Sequence, residues 1–203
     1  MRYGPFRNSP QRETVTTVVD VGANIGAFTL AARRMFPQAR VLAIEADPDN
    51  VELLRRNCAG DRQVTIAPLA VLGDGAPRRV HLCRHRLNSG GSYVQEVFQS
   101  KSTPFADRRP IEVDCRSIHD LLREHNVESI DVLKVDAEGS EVEIFTCLAD
   151  HGWLARTRWI RFEWHGHESI PRLRELLSQT HEVSINEHGL WNALGIAHRK
   201  ETA

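Results

Sequence analysis

The sequence predicts an α/β fold in which helices cover both faces of a mostly parallel sheet. Two observations lead to this prediction. Short β-branched and apolar runs alternate along the chain with segments whose apolar residues recur at helical spacing. The 203 residues are 41% hydrophobic, and no linker rich in glycine, serine or proline divides them. Because parallel strands need crossover connections, this alternation favours one doubly covered sheet. We expect one domain over 1–203, with its core at about 15–197.

Two strand–helix pairs are predicted first. The stretch "VVDVGANIGAFTL", Val18 to Leu30, gives a buried strand, a turn with Gly22 and Gly26, and a helix. The apolar residues at 27, 30, 31 and 35 are expected on one face of that helix. "RVLAIEA" predicts the second strand and "DPDNVELLRRNCA" the second helix, with Asp47 at its N-cap and Pro48 at its first position. Apolar residues at 51, 54 and 58 share a face of this second helix.

The remaining elements follow in order. "QVTIAPLAV" predicts a third strand broken by Pro68, "RRVHLC" and "PIEVDC" predict added strands, and "SIHDLLREHNV" predicts a helix capped by Ser117. "IDVLKVDAEGSEVEIFTCLADHG" predicts a strand, a turn at 137–140 and a helix. "RWIRFEW" is typical of a strand, "SIPRLRELLSQ" of a helix, and "HEVSINEHGLWNALGIAHR" of a closing hairpin that turns near 187–189. We expect the polar ends, up to Thr14 and from about His198, to fray.

Charge and composition narrow the function classes. The chain has 26 basic and 27 acidic side chains, a formal net charge of -1, so no overall field favours nucleic acid or an anionic membrane. It shows no apolar signal core and no run near the roughly 20 apolar residues of a membrane span. We therefore expect a cytoplasmic protein. The four cysteines form no CxxC pair and are expected to be free thiols.

Acidic residues stand where four predicted strands end: Asp20, Glu45, Asp136 and Glu163. In a doubly wound sheet the ligand crevice lies beyond the carboxyl ends of the strands, where the winding reverses. We therefore expect these side chains to face a ligand.

Two cofactors fit a glycine turn with an acidic residue at the next strand end. The dinucleotide fingerprint requires glycine at position 24, where the chain has Asn24. Asp20 would repel a pyrophosphate but attract, directly or through water, an ammonium group. S-adenosylmethionine carries such a group and no phosphate, and the Glu45 carboxylate can accept hydrogen bonds from both ribose hydroxyls. The residues favour S-adenosylmethionine, contacted by Asp20, Gly22, Asn24, Gly26 and Glu45. The structural alternative for both glycines is a tight turn with close helix packing.

Five segments together resemble the successive motifs of FkbM-type S-adenosylmethionine-dependent methyltransferases. These are "VVDVGANIGAFTL", "AIEADPDNVELLRRN", "SGGS", "IDVLKVDAEGSEVEI" and "IRFEWH", which span roughly 15–195, and "KVDAEGSE" is the most specific. The resemblance implies a class I Rossmann-like methyltransferase fold, with a mostly parallel seven-stranded sheet, helices on both faces and a C-terminal antiparallel hairpin. It implies methyl transfer to a hydroxyl oxygen of a sugar, natural product or other small molecule. Ala46 and Ala70 join the expected cofactor contacts.

Methyl transfer to a hydroxyl requires a base beside the acceptor, which must lie about 3 Å from the methyl carbon. Asp136 is the first candidate, because it ends a central strand and shares a face with Lys134. Capping of the following helix is its structural alternative. His165 is the rival base, since a neutral imidazole accepts a proton near pH 7. Beside it, Glu163 is expected to contact the acceptor.

A metal-dependent alternative uses the same strand ends. Asp136, Glu163 and His165 can converge on a divalent cation that binds the acceptor oxygen and lowers its pKa. The prediction does not favour a metal, because no close ligand pair such as a helical HxxxH accompanies these residues. Glu138 and Glu141 are expected to serve the start of the next helix or to orient neighbours.

The long polar segment from Arg84 to Pro110 is expected to contact the acceptor. Within it Ser89, Gly90 and Ser92 can hydrogen-bond a polar scaffold, and its arginines either bind a phosphate or carboxylate or are simply solvated.

Further predictions concern the partners of the protein and its alternative functions. We expect a small-molecule or sugar acceptor, no nucleic acid and no membrane. The short leader before the first strand predicts an acceptor site that is either exposed or covered by a second subunit. Both a monomer and a homo-oligomer are therefore compatible with the sequence. N-methylation is the nearest alternative. Two further alternatives are a nucleic-acid methyltransferase and a non-catalytic cofactor-binding protein. The chain lacks the NPPY-type motif of the first.

Overall fold

The structure is a computed structural model that describes residues 14–84, 90–97, 110–165, 170–188 and 192–200. The strands are β1 (Thr17–Val21), β2 (Arg40–Ile44), β3 (Val64–Ala67), β4 (Ala70–Leu72), β5 (Arg79–Cys83), β6 (Tyr93–Val94), β7 (Ile111–Ser117), β8 (Ile130–Val135), β9 (Thr157–His165), β10 (His181–His188) and β11 (Asn192–Arg199). The helices are α1 (Ala27–Met35), α2 (Pro48–Asn57), α3 (Ile118–Glu124), α4 (Glu141–Asp150) and α5 (Ile170–Ser178). None of these helices has both the length and the apolar content of a membrane span.

The main sheet has seven strands in the order β10-β11-β9-β8-β1-β2-β3. Its strands β9, β8, β1, β2 and β3 are parallel, and β10 and β11 add an antiparallel hairpin at one edge. This confirms the predicted fold class. The chain winds outward from β1 to β3 and returns to β8 on the other side of β1. The winding therefore reverses between β1 and β8, where an α/β sheet forms its ligand crevice.

The structure also has a second sheet of four strands, in the order β4-β7-β5-β6. The sequence predicts some of these strands but not that they form a separate sheet. The single broken strand predicted around Pro68 is wrong, because the chain on its two sides, β3 and β4, joins different sheets. The strands predicted in "RRVHLC" and "PIEVDC" are confirmed as β5 and β7, but they pair with each other in this second sheet. The two-residue strand β6 was missed.

Local capping signals place the helix starts as predicted. The Asp47 side chain accepts a hydrogen bond from Asp49 N at 3.0 Å, and the Ser117 hydroxyl accepts one from Asp120 N at 3.1 Å. The predicted face of α2 is buried at positions 51, 54 and 58. The predicted face of α1 is wrong, since residues 27, 30, 31 and 35 are exposed and Thr29, at the centre of the opposite face, is buried.

The hairpin and the cysteines complete the comparison with the predicted elements. His198 pairs with Glu182 and Trp159 inside β11, so the prediction that the chain frays from His198 is wrong. The hairpin is confirmed, but Glu187 and His188, predicted at its turn, are the last residues of β10 and pair with Ala193 and Asn192. Residues 189–191 lie outside the described residues. All four cysteines are free thiols, as predicted, and all four are buried.

Candidate functional site

A cavity of about 470 Å³ lies at the carboxyl ends of β1, β2, β8 and β9. It contains most of the residues that the sequence singled out, namely Gly22, Asn24, Glu45, Ala46, Ala70, Gly90, Ser92, Asp136, Glu163 and His165. Asp20 and Gly26 are not among its lining residues, and Ser89 lies outside the described residues. One cavity thus brings the predicted cofactor, acceptor and base positions together.

The turn after β1 requires glycine at position 22 for two reasons. Gly22 has φ +70°, and a Cβ added there would lie 1.8 Å from the Asp136 carbonyl oxygen. Asp136 N also donates to Val21 O at 3.2 Å, which joins the ends of β8 and β1. Any side chain at position 22 would therefore push the two central strands apart at the cavity.

Gly26 has a different role, in packing. It has φ +92°, and a Cβ there would lie 2.7 Å from Leu54 Cδ1 of α2. Gly26 therefore fits the structural alternative of close helix packing that the sequence offers for both glycines. Gly22, in contrast, lines the cavity.

Glu45 is held at the end of β2 by two backbone donors. Its Oε2 accepts from Asn24 N at 2.7 Å and its Oε1 from Asp47 N at 2.8 Å. Burial raises the pKa of Glu45, and these hydrogen bonds partly oppose the rise. The Asn50 side chain donates a third hydrogen bond to this carboxylate. Because a carboxylate has about four lone-pair sites, Glu45 can still accept a hydroxyl group from the cavity.

Asp20 lies beneath the glycine turn and is fully buried. Its Oδ2 accepts from the Thr29 hydroxyl at 2.6 Å, and its Oδ1 lies 3.4 Å from Lys134 Nζ. Lys134 Nζ also donates to the carbonyl oxygens of Val21 and Gly22. Asp20 is not among the residues that line the cavity, and its carboxylate forms an ion pair that holds Lys134 against the turn. Its contact with a ligand, directly or through water, stays a prediction.

Asp136 projects into the cavity at the end of β8, with its Oδ2 3.4 Å from Lys134 Nζ. It does not cap α4, whose N-cap is Ser140. Glu141 closes the turn instead, because its fully buried carboxylate accepts from Ala137 N at 3.1 Å and from Gly139 N at 3.0 Å. The expected role of Glu141 at the helix start is confirmed.

His165 lies among carboxylates at the end of β9. Its Nδ1 is 2.8 Å from Glu141 Oε1, and its Nε2 is 3.4 Å from Glu138 Oε2 and 3.9 Å from Glu163 Oε1. Burial alone would lower the pKa of His165, but the hydrogen bond to Glu141 and the nearby carboxylates raise it to about 9. A pKa of about 9 favours the protonated form of His165 near pH 7, which argues against the neutral imidazole base that the sequence suggests.

Glu138 is the site residue that sequence reasoning missed. The sequence predicts that it serves the helix start or orients neighbours, but Glu138 itself lines the cavity. Its backbone has φ +47°, which is uncommon for a residue with a side chain. Burial raises the pKa of Glu138 to about 7, although the His165 charge opposes the rise. The only sequence signal was an acidic residue two positions beyond Asp136.

The carboxylates and the imidazole also form a potential metal-binding group. Ligand atoms of Asp136, Glu138 and His165 all lie within 4.8 Å of one another. The predicted triad had Glu163 in place of Glu138, and Glu163 instead lies beside the group, close to His165. Burial raises the pKa of Glu163 as well.

The described part of the polar segment reaches the cavity through Gly90 and Ser92. Ser92 Oγ lies 3.4 Å from Asp47 Oδ2. Arg84 Nε donates to the same Asp47 oxygen at 2.7 Å, and its Nη2 pairs with Asp49. Arg84 thus ties the segment to α2, in place of the anion-binding role considered for it. The other basic residues of the segment lie outside the described residues.

The architecture, with its reversal of winding beside β1, is that of class I methyltransferases. It is similar to the crystal structure of methyltransferase FkbM from Methylobacillus flagellatus KT, with a TM-score of 0.59 and 16% identity, over 95% of this chain and 46% of that chain. Identity this low shows the shared fold alone.

The sequence assigns the family. The Methyltransferase FkbM domain matches residues 20–188, and the chain belongs to this family. It is 27% identical over 183 residues to methyltransferase sdnD of Sordaria araneosa, covering 79% of this chain and 71% of that protein. It is 29% identical over 188 residues to the 31-O-demethyl-FK506 methyltransferase FkbM of Streptomyces tacrolimicus. This match covers 82% of this chain and 65% of that protein. The chain thus spans about two thirds of these relatives.

Proposed function

We propose that this chain is an S-adenosylmethionine-dependent methyltransferase that transfers a methyl group to a hydroxyl oxygen of a small-molecule, sugar or natural-product acceptor. One observation carries the proposal: the glycine turn and Glu45 share a single cavity with Asp136, Glu138 and His165. Family membership supports the reaction class, and the similar FkbM protein named for 31-O-demethyl-FK506 supports an oxygen acceptor.

The cofactor half of the cavity fits S-adenosylmethionine. Glu45 already accepts hydrogen bonds from Asn24, Asp47 and Asn50 and retains a lone pair for a ribose hydroxyl. Gly22 allows the glycine turn to pack against the Asp136 carbonyl at the edge of the cavity. The wall beyond Glu45 consists of small and apolar residues, which suit an adenine ring; they include Ala46, Leu69, Ala70 and Val71. The bound cofactor supplies an electrophilic methyl group on a positively charged sulfur. Lys134 is paired with Asp20 and Asp136, so the turn presents little free positive charge to a pyrophosphate.

Glu138 is the proposed proton acceptor for the acceptor hydroxyl. A carboxylate whose pKa lies near 7 is ionised in part at neutral pH and basic enough to take a proton. The His165 imidazolium, oriented by Glu141, lies 3.4 Å from the Glu138 carboxylate and stabilises its ionised form. Asp136, beside Lys134, is the alternative base and otherwise orients the acceptor. In this scheme His165 is a positioning residue and does not itself take the proton.

The acceptor is expected to lie between these groups and the polar segment. Gly90 and Ser92 line one side of the cavity and Glu163 the other, so a molecule with several hydroxyl groups would find hydrogen-bond partners on both sides. Ser89, which the structure does not describe, stays a prediction for the same surface.

A metal-dependent reaction is the second candidate, because Asp136, Glu138 and His165 can present three ligand atoms to one divalent cation. In that version the cation, and no longer a free carboxylate, would lower the pKa of the acceptor hydroxyl. Dialysis against a chelator separates the two. A metal-dependent enzyme would lose turnover and regain it with added cation, whereas the proposed enzyme should keep full activity.

The activity can be tested without a known acceptor. The protein and S-adenosylmethionine with a labelled methyl group are incubated with a small-molecule extract of the source cells, and the labelled product is identified by mass spectrometry. An O-methylated small molecule is the expected result. Labelling of nitrogen alone, or label that disappears after nuclease treatment, would contradict the proposed acceptor. No labelled product in the presence of tight cofactor binding would instead favour a non-catalytic binding protein.

The base is tested on the identified product with Glu138→Gln. Turnover should fall by roughly 10² to 10⁴, the usual contribution of general-base catalysis, while cofactor affinity stays within a few-fold. The wild-type rate should rise with pH through about 7, because the Glu138 carboxylate must be ionised to accept the proton. The matched control is Glu143→Gln on α4, which lies outside the cavity lining and should keep wild-type turnover. Wild-type turnover in Glu138→Gln, when chemistry limits the rate, would exclude Glu138 as the base and leave Asp136.

A further inference from the structure

The last turn of α4 presents a thiol and an imidazole on one face. Cys147 and His151 are four residues apart, and His151 N donates to Cys147 O at 3.1 Å, so the helical geometry continues through the C-cap. Residues at this spacing lie one above the other on a helix. Neither lines the cofactor cavity, which α4 approaches with its opposite end.

The turn between β4 and β5 adds a carboxylate to this face. Cys147 Sγ donates to Asp74 Oδ1 at 3.3 Å, and His151 Nε2 lies 2.8 Å from Asp74 Oδ2. The turn comes this close because residue 73 is glycine: a Cβ there would lie 2.9 Å from the Glu143 carbonyl oxygen. Ligand atoms of Asp74, Cys147 and His151 all lie within 4.8 Å of one another.

A neighbouring ring fixes the orientation of the imidazole. His119 of α3 stacks on His151, with 3.7 Å between the ring centroids and 12° between the planes. Trp153 Nε1 donates to His119 Nδ1 at 3.0 Å. This hydrogen bond fixes the His119 ring against which His151 stacks. His151 therefore keeps one ring plane, with Nε2 directed to Asp74 and Cys147.

We propose that Asp74, Cys147 and His151 form a zinc-binding site, independent of the proposed catalytic function. Thiolate, imidazole and carboxylate are the donors that Zn²⁺ takes in proteins, and a thiolate with an imidazole disfavours Mg²⁺ and Ca²⁺. On binding, Cys147 loses its S–H proton to solvent, His151 binds through Nε2 as a neutral imidazole, and Asp74 supplies one oxygen. Water fills the fourth position. The side chains of Asp74 and His151 are 53% and 34% exposed, which gives the ion a path from solvent.

Such a site would clamp the end of α4 to the β4–β5 turn. Because the ion binds only where the three side chains meet, it should stabilise the folded chain and raise its Tm. Removal of Zn²⁺ should leave the cofactor cavity intact, because none of the three residues lines it.

Cobalt provides the test, since a thiolate bound to Co²⁺ gives a charge-transfer absorption in the near ultraviolet. The full chain is stripped with a chelator, dialysed and titrated with Co²⁺. We expect the thiolate band to appear and to disappear when Zn²⁺ is added. Cys147→Ser should remove the band, and His151→Gln should weaken Zn²⁺ affinity by at least roughly tenfold. The matched controls are Cys58→Ser and His125→Gln, which should behave as wild type.

A third control separates this site from the carboxylates of the cavity. Glu138→Gln should keep the thiolate band, because the metal-binding group to which Glu138 belongs contains no sulfur. Absence of the band at saturating Co²⁺, or its survival in Cys147→Ser, would overturn the proposal. Circular dichroism shows whether Cys147→Ser folds. If it does not, the test rests on His151→Gln, because His151 is exposed. Unchanged Zn²⁺ affinity and an unchanged Zn²⁺-induced rise of Tm in His151→Gln would also overturn the proposal.

Discussion

Replacement of His165 by Gln should change the pH dependence of stability more than any other single substitution in the cavity. The imidazolium faces Glu138, Glu141 and Glu163 while its side chain is only 12% exposed, so its charge is compensated by carboxylates and little by water. A rise of its pKa from the ordinary 6.5 to about 9 corresponds to roughly 3 kcal/mol of stability. His165→Gln removes this contribution and leaves the carboxylates facing one another.

The sign follows from proton binding. The folded chain holds the His165 proton more tightly than the unfolded chain does, so the stabilisation is complete below about pH 6.5 and disappears as the pH rises through about 9. Urea unfolding of wild type and His165→Gln should therefore differ by roughly 3 kcal/mol near pH 6.5 and by far less near pH 9.5. Burial raises the pKa of Cys58, Cys115 and Cys147, and the effect of these thiols is common to both proteins and cancels in the difference.

The control is His125→Gln at the C-cap of α3, which removes an imidazole outside the carboxylate cluster around His165. A difference between wild type and His165→Gln that stays constant from pH 6.5 to pH 9.5 would refute the reasoning. It would mean that His165 stabilises the fold by packing alone and that the carboxylates around it do not hold its proton.

Three further substitutions test other parts of the structure. Burial lowers the pKa of His181 to about 4, so the wild type should lose stability as the pH falls from about 6.5 towards 4, and His181→Gln should lose less over that range in urea unfolding. Gly22→Ala should be severely destabilised or fail to bind cofactor, because its Cβ meets Asp136 O, whereas Gly60→Ala, at a similar φ with open space, should lose only about 1–2 kcal/mol; equal losses would contradict the close approach. Ser117→Ala should lose about 1 kcal/mol in thermal unfolding, and no change would remove Ser117 as a helix cap.

The sequence predicted the central sheet well because its information is local there. β-branched runs, helical spacing and caps such as Asp47 and Ser117 mark the elements, and short-range hydrogen bonds enforce them. The predicted face of α1 is wrong because the buried Thr29 donates a hydrogen bond to Asp20 of β1, a side-chain contact that apolar spacing does not reveal. The second sheet was missed as a unit because its strands are short and separated along the chain, so only tertiary pairing defines it.

The site shows the same division between local and long-range information. Strand ends correctly placed Glu45, Asp136 and His165 at one cavity, because parallel strands present their carboxyl ends together. The charge state of His165 depends on Glu141 from another element, 24 residues away, and could not be predicted from either residue alone. The place of Glu138 depends on a positive φ that the sequence does not encode in a recognisable way.

Replacement of Glu45 tests the cofactor half of the cavity. Glu45→Ala is unsuitable, because it would leave the backbone N–H groups of Asn24 and Asp47 without their acceptor. Glu45→Gln keeps one acceptor oxygen and leaves only one of the two N–H groups without a partner, and thermal unfolding checks that the variant is folded. It should weaken S-adenosylmethionine binding by about 1.5–3 kcal/mol, or roughly tenfold to a hundredfold. The control is Glu52→Gln on the exposed side of α2, which should bind as wild type. Equal affinity in Glu45→Gln and wild type, measured by calorimetry, would remove Glu45 from the site.

The most direct test of the central claim is a calorimetric titration of the purified wild-type chain with S-adenosylmethionine and, separately, with NADH. Both cofactors suit a glycine turn followed by an acidic strand end, and only the details around Gly22, Asn24 and Glu45 separate them. We predict saturable one-to-one binding of S-adenosylmethionine, displaced by its demethylated product, and no binding of NADH. Binding of NADH without binding of S-adenosylmethionine would contradict the proposal that this cavity binds S-adenosylmethionine.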